Sequence, residues 1–301
     1  MITTFGAPGH STTRRAWLRS VGRAGLAFGL YPLGLRADAA GAGTSPRFRI
    51  GACDWSIGRM ANPEAFDVAR AIGLDGVQVS LGTAANDMHL RRAEVQATYR
   101  EALERTGLQV GSLAIGELNN IPYKSDPRTV EWVADSIDVC RAFGCRCVLL
   151  AFFYNGDLKG DAAGTDEVVR RLREVAPKAE KAGVSLGIES WLSAEEHVAI
   201  IDRVGSPAVK VYYDVANSSK MGYDIYREIR WLGNQGLICE FHAKENGFLL
   251  GEGVVDFRRV RQALDEIGYS GWVQIEGAVP SGGAMKESYV ANQRFLRSVL
   301  G

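Results

Sequence analysis

The stretch Lys181-Ala-Gly-Val-Ser-Leu-Gly-Ile-Glu189 holds the end of one structural element and nearly all of the next. The amphipathic run 165–182 stops at Gly183, which suits a helix C-terminus closed in the left-handed conformation. The apolar run 184–189 then reads as a strand covered on both faces, and it ends in a carboxylate. The same kind of ending recurs three times downstream: Asp214 in Val211-Tyr-Tyr-Asp, His242 in Glu240-Phe-His and Glu276 in Val273-Gln-Ile-Glu. The spacings of 25, 28 and 34 residues each match about one strand-plus-helix unit, so all four side chains can meet at one end of a parallel barrel.

Working outward, short β-rich runs alternate with longer amphipathic ones. Strands are predicted near 48–53, 76–80, 108–114, 146–152, 184–189, 208–214, 237–242 and 272–276. Long helices are predicted near 88–106, 128–143, 165–182 and 285–300, with shorter ones near 63–72, 193–204, 224–232 and 257–267. Gly73, Gly107, Gly144 and Gly268 follow helical runs as Gly183 does. Eight strand–helix units in about 250 residues are the size of a closed (β/α)8 TIM barrel, predicted as a single α/β domain over 48–301. The alternative, an open doubly wound sheet, lacks a Gly-x-Gly-x-x-Gly after its first strand.

The amino terminus carries an address. Thr13-Arg14-Arg15-Ala16-Trp17-Leu18-Arg19 resembles a twin-arginine export signal; the apolar run 24–35 and Ala37-Asp38-Ala39 complete the pattern. Residues 1–39 are expected to be removed, residues 40–47 to form a linker, and the mature protein to be periplasmic or secreted. The apolar run falls short of the roughly 20 residues of a membrane span, so no membrane insertion is expected once the signal is gone. Of the 35 basic and 35 acidic residues, the segment before residue 40 takes five Arg and one Asp, leaving a net charge of −4. A mildly acidic body argues against a nucleic-acid partner and favours a small neutral or weakly charged one. The five cysteines, Cys53, Cys140, Cys145, Cys147 and Cys239, show no Cys-x-x-Cys spacing and read as buried free thiols rather than disulfides or thiolate zinc ligands. Export in the folded state is compatible with their staying reduced.

Three carboxylates and an imidazole form a hard, oxygen-rich donor set suited to one divalent cation, Mn²⁺ first, with Mg²⁺, Co²⁺ or Zn²⁺ as alternatives. Such a site leaves positions for a substrate carbonyl and hydroxyl, and it stabilises the enediolate formed when the adjacent C–H loses its proton. Taken singly, each residue has a plainer reading. A Glu or Asp at a strand end can cap the next helix, and His242 can be a hydrogen-bonded core histidine. Their coincidence on four successive strands favours the shared site.

The chain resembles the xylose-isomerase-like barrels, and within them the sugar phosphate isomerase/epimerase group that includes ketose 3-epimerases. The likeness runs from about residue 48 to the end. It rests on Gly187-Ile-Glu189, Tyr213-Asp214-Val-Ala-Asn217, Phe241-His242-Ala-Lys-Glu245, Gly251-Glu-Gly-Val-Val-Asp-Phe257 and Gly271-Trp-Val-Gln-Ile-Glu276. The resemblance implies that Glu189, Asp214, His242 and Glu276 bind one divalent cation and that Glu189 and Glu276 are the catalytic acid/base pair. It also implies a homodimer, since members of the group often dimerise.

Two departures stand out. The group usually has His where this chain has Asn217, and a substrate-binding Arg where it reads Asn246-Gly-Phe-Leu-Leu250. Asn217 and Lys244 are candidates for the missing polar contacts. Trp55, Phe153, Tyr154 and Trp191 are candidates for a wall against a sugar ring. Glu117, Asn119 and Lys124, in the loop 116–124, are candidate substrate contacts; His197, inside a helix, reads as structural.

The function expected from the resemblance is a metal-dependent isomerase or epimerase of an unphosphorylated keto-sugar or sugar derivative, working through an enediolate. The first alternative is a lyase that eliminates the aglycone from a 3-keto-glycoside at the same site. Further alternatives are a hydrolase like the abasic-site endonucleases, which needs more histidines than His89, His197 and His242 and a basic groove, and a sugar-binding protein without catalysis.

Overall fold

The computed structural model describes residues 46–301; the signal and most of the linker expected at 1–45 lie outside the described residues. Eight strands close a parallel barrel in chain order: β1 (Phe48–Cys53), β2 (Gly76–Ser80), β3 (Gln109–Ile115), β4 (Cys147–Phe152), β5 (Ser185–Ser190), β6 (Val209–Asp214), β7 (Ile238–Ala243) and β8 (Gly271–Ile275). The closing pair is β1 with β8, in register from Phe48↔Gly271 to Ala52↔Ile275. Around it run α1 (Ala65–Ile72), α2 (Ala93–Thr106), α3 (Arg128–Phe143), α4 (Ala162–Ala182), α5 (Ala194–Val204), α6 (Val215–Lys220), α7 (Ile225–Asn234), α8 (Phe257–Glu266) and α9 (Met285–Leu300). None of these is long and apolar enough to cross a membrane.

Strand residues divide by parity. On β4, Val148, Leu150 and Phe152 join the large core shared with the helices, whereas Cys147, Leu149 and Ala151 belong to a separate cluster with Tyr212. This is the two-residue periodicity of a strand with both faces buried. Two helix starts are closed by side chains: Asp256 accepts from the N–H groups of Arg258 and Arg259, and Ser193 forms a reciprocal box with Glu196.

Two elements differ from expectation. The helix predicted over 88–106 begins only at Ala93, because Ala84–Asn86 and His89–Arg91 form separate short 3₁₀ turns and Asp87 and Met88 turn left-handed between them. The short helix α6 was not anticipated; it is a single stretch of six residues capped directly by Asp214. All five cysteines are free, four of them buried and Cys239 half-buried.

Candidate metal centre

Glu189 lies one residue before the end of β5, Asp214 ends β6, His242 lies one before the end of β7 and Glu276 follows β8 directly. Parallel strands put these positions at one rim, the carboxyl-terminal face on which barrel enzymes carry their sites. One donor atom from each of the four lies within 4.8 Å of the others. His242 Nδ1 is the hub, at 3.0 Å from Glu189 Oε1, 3.4 Å from Glu276 Oε2 and 3.7 Å from Asp214 Oδ2. Among the described residues this is the one group of three or more such side chains.

Asp214 decides whether the donors suit a cation. Its Oδ1 accepts from the Ala216 and Asn217 N–H groups, both at 2.8 Å, so the capping role is real. Its Oδ2 is buried and has no hydrogen-bond partner. A buried carboxylate oxygen without a hydrogen bond is costly; this one has only the longer ion-pair contacts of Lys244 Nζ at 3.5 Å and His242 Nδ1 at 3.7 Å, and a divalent cation held by hard oxygen ligands suits the space it shares with the other donors. The same carboxylate therefore caps α6 with one oxygen and serves the site with the other.

The electrostatics agree. Burial acts to raise the Asp214 pKa, but the Lys244 ammonium and His242 outweigh it and bring it down to about 2. Glu189 moves the other way, pushed up to about 7 by burial and by Glu276 and Asp214 against the pull of His242. Burial opposes the charged form of His242, yet the surrounding acidic groups, Glu189 and Glu276 among them, hold its pKa well above the usual value. Three carboxylates crowded this closely attract positive charge from any source.

Around the four, Trp55 Nε1 donates to Glu276 Oε1 at 2.9 Å and Lys244 Nζ donates to Glu276 Oε2 at 2.7 Å. Lys244 also lies 3.5 Å from Asp214 Oδ2. Phe153 and Tyr154 meet Trp191 edge-on at 5.2 and 5.5 Å between ring centres, forming an aromatic corner two residues beyond Glu189. Tyr154 is 73% exposed and sits on left-handed backbone at φ 51°, a conformation that costs a non-glycine residue energy and clusters at binding sites.

The remaining candidates are placed less directly. Asn217 lies in the first turn of α6 beside Asp214, Asn119 Oδ1 accepts from the Phe153 N–H at 2.9 Å, and Glu117 stays in the turn after β3. Lys124 is engaged away from the ligands, donating to the Asp157 carbonyl and to Asp161. His197 is structural as read: its ring contacts Ser190 Oγ and the Ser193 carbonyl, and burial lowers its pKa to about 4.

Gln78 of β2 and Tyr212 of β6 escaped the sequence reading. Gln78 Oε1 lies 2.8 Å from His242 Nε2, and the Tyr212 ring meets the imidazole edge-on at 4.6 Å. The signal available was a polar Gln inside the otherwise apolar Val77–Val79 run.

A family profile described as a xylose isomerase-like TIM barrel matches residues 66–299. The chain belongs to that family. Among curated relatives, the 2-epi-5-epi-valiolone 7-phosphate 2-epimerase of Actinoplanes sp. is 26% identical over 227 residues, covering 72% of this chain and 82% of the relative. Among solved structures, a D-psicose 3-epimerase in the presence of D-fructose superposes with a TM-score of 0.70 at 20% identity, over 84% of this chain and 99% of the other. The 3-keto-D-glucoside 4-epimerase of E. coli superposes with a TM-score of 0.67 at 15% identity, over 83% and 99%.

Proposed function

We propose that this member of the xylose isomerase-like family is a divalent-metal-dependent epimerase or isomerase of an unphosphorylated keto-sugar or sugar derivative. The observation that carries the reading is the convergence of Glu189 and Glu276, from strands on different sides of the mouth, on one point beside His242 Nδ1. Glu189, Asp214, His242 and Glu276 would hold the cation. When bound, it supplies Lewis-acid stabilisation of negative charge on a substrate carbonyl oxygen, Mn²⁺ suiting this donor set first.

The chain's own residues do the proton work. A carboxylate on one side of the bound carbon removes the proton next to the carbonyl, and the carboxylate on the other side returns one, which inverts the centre or shifts the carbonyl. Glu189 and Glu276, which approach His242 Nδ1 from two different strands, are the groups placed to carry that proton. Lys244 and Trp55 fix the two oxygens of Glu276. The aromatic corner offers apolar area to a sugar ring. Lysines in the loops after β3 and β4 are already in ion pairs, Lys124 with Asp161 and Lys159 with Glu196, which favours a substrate without a phosphate.

The test is solvent exchange. Metal-loaded protein incubated with keto-sugars in deuterated water is expected to incorporate deuterium at the carbon beside the carbonyl; failure with every keto-sugar tried, 3-keto-sugars included, would remove the reading.

The exposed Tyr154 favours one second reading, in which a 3-keto-glycoside binds with its aglycone on Tyr154 and Trp191 and the same enediolate expels it. Release of free aglycone from an aryl 3-keto-glycoside separates this lyase from the epimerase. We further infer a periplasmic or secreted location. Replacing Arg14 and Arg15 by Lys is expected to leave the protein in the cytoplasmic fraction, and unchanged export of that variant would refute the twin-arginine route.

A further inference from the structure

We propose that Gln78 is the positioning residue that, when a cation is bound, fixes the His242 imidazole in the tautomer whose Nδ1 lone pair faces Glu189, Asp214 and Glu276, and that it thereby sets the strength of the metal site. The inference rests on the four-residue centre above and concerns a residue outside it.

The Gln78 amide has two donor hydrogens and two acceptor lone pairs, and all four are matched. Oε1 receives the His242 Nε2–H at 2.8 Å and the Cys53 thiol hydrogen at 3.1 Å. Nε2 donates to Ser112 Oγ and to the Tyr212 hydroxyl, both at 3.0 Å. Gln78, Ser112, Cys53 and His242 are fully buried and Tyr212 almost so, so water offers no alternative partners. The Cys53 sulfur also lies 3.4 Å from His242 Nε2, and a hydrogen on that ring nitrogen leaves the thiol hydrogen to Oε1. An amide turned end for end would set an N–H against that thiol hydrogen. It would also drive the ring to the tautomer with a proton on Nδ1, which is a donor and no ligand. Tyr212 completes a clamp: its hydroxyl holds Gln78 while its ring lies against the imidazole. Such outer partners orient a ligand histidine and tune its basicity, and their loss typically weakens metal binding about 10- to 100-fold. A neutral amide polarises the ring less than a carboxylate does, which leaves affinity to the hard oxygen donors.

The experiment measures metal affinity rather than turnover, by competition of the purified chain with a chelating dye for Mn²⁺ and for Zn²⁺. Gln78→Leu is expected to bind both about 10- to 100-fold more weakly. Gln78→Glu is expected to recover binding and to favour Zn²⁺ over Mn²⁺ relative to the parent. Because Gln78→Leu strands two buried hydroxyls, ¹⁵N NMR of the Zn²⁺-loaded parent gives a reading that needs no variant, with the ring proton expected on Nε2. A proton on Nδ1, or both variants binding both metals like the parent, overturns the inference. A parent chain that takes up neither metal overturns this inference together with the proposed function. Tight metal binding with no exchange from any keto-sugar overturns the epimerase reading alone.

Discussion

Two layers of the barrel interior use the same residue types to opposite ends. On β7, Glu240 and His242 are two residues apart and face the same way; on β8 and just beyond it, Gln274 and Glu276 do likewise. In the upper layer, three carboxylates share a point with His242 and Lys244, and Asp214 is held ionised down to about pH 2. In the lower layer Glu240 is buried, accepts from Gln274 Nε2 at 2.8 Å, and has its pKa pushed up to about 7 by burial. Burial raises Glu240 in the lower layer and Glu189 in the upper one, whereas Asp214 is brought down because the Lys244 ammonium and His242 outweigh its burial. A cavity of about 880 Å³ lies at the lower end, lined by Arg49, Cys147, Lys210, Glu240 and Trp272 among others. Size therefore does not mark the site here. Convergence of donors at the opposite rim does.

The sharpest break of this contrast is to remove one proton-carrying group from the upper layer. Glu189→Gln and Glu276→Gln each keep an oxygen that can face a cation but lose the ability to take a proton. Each is expected to lower the rate of α-proton exchange about 10³-fold, within the range of general acid–base contributions, while metal content changes far less. Exchange within tenfold of the parent in either variant would take that residue out of the chemistry. Equal loss of metal and activity would make it a ligand only.

The lower layer is tested by pH. In the unfolded chain Glu240 titrates near the ordinary glutamate value of 4.5, and in the folded chain near 7. Below pH 4.5 it is neutral in both states and costs nothing. As pH rises from 4.5 to 7 the unfolded chain gives up its proton first, so stability falls, by about 3 kcal/mol in all at about 1.4 kcal/mol per pKa unit. Glu240→Gln removes that slope. Chemical denaturation is expected to show the variant gaining on the parent by about 3 kcal/mol between pH 4.5 and 7.5, and a difference that does not change with pH would mean that Glu240 is ionised in the fold.

The barrel and its four rim residues were legible because both depend on regular periods. Strand–helix alternation fixes the count, and a residue at a strand's end is placed by the strand itself. The neighbouring contacts were less legible because they join distant strands through side chains. Gln78 reaches His242 across 164 positions in sequence, and Ser112 and Tyr212 hold it from β3 and β6. No spacing rule announces such a meeting. Lys124 shows the opposite failure, since a loop lysine after β3 looks like a substrate contact until Asp161, the cap of α4, is seen to hold it. The capping and site readings of Asp214 looked like rivals in the sequence, yet its two oxygens let both be true.

The smallest effect concerns Trp55, which joins the amino-terminal half of the barrel to a donor of the upper layer. Its indole N–H holds Glu276 Oε1 from the loop after β1, while its ring lies edge-on to His242 at 6.2 Å. Trp55→Phe keeps most of the apolar area and removes only the donor. A hydrogen bond to a charged group contributes about 1.5–3 kcal/mol, and the lower end applies because Glu276 is partly open to water and keeps Lys244 as a second partner. The expected result is a fall in kcat of about tenfold with little change in KM, since the contact orients a reacting carboxylate instead of gripping substrate. A rise in KM at constant kcat would instead make the indole part of the sugar-binding wall, and the ring rather than its N–H would then be what the amino-terminal half contributes.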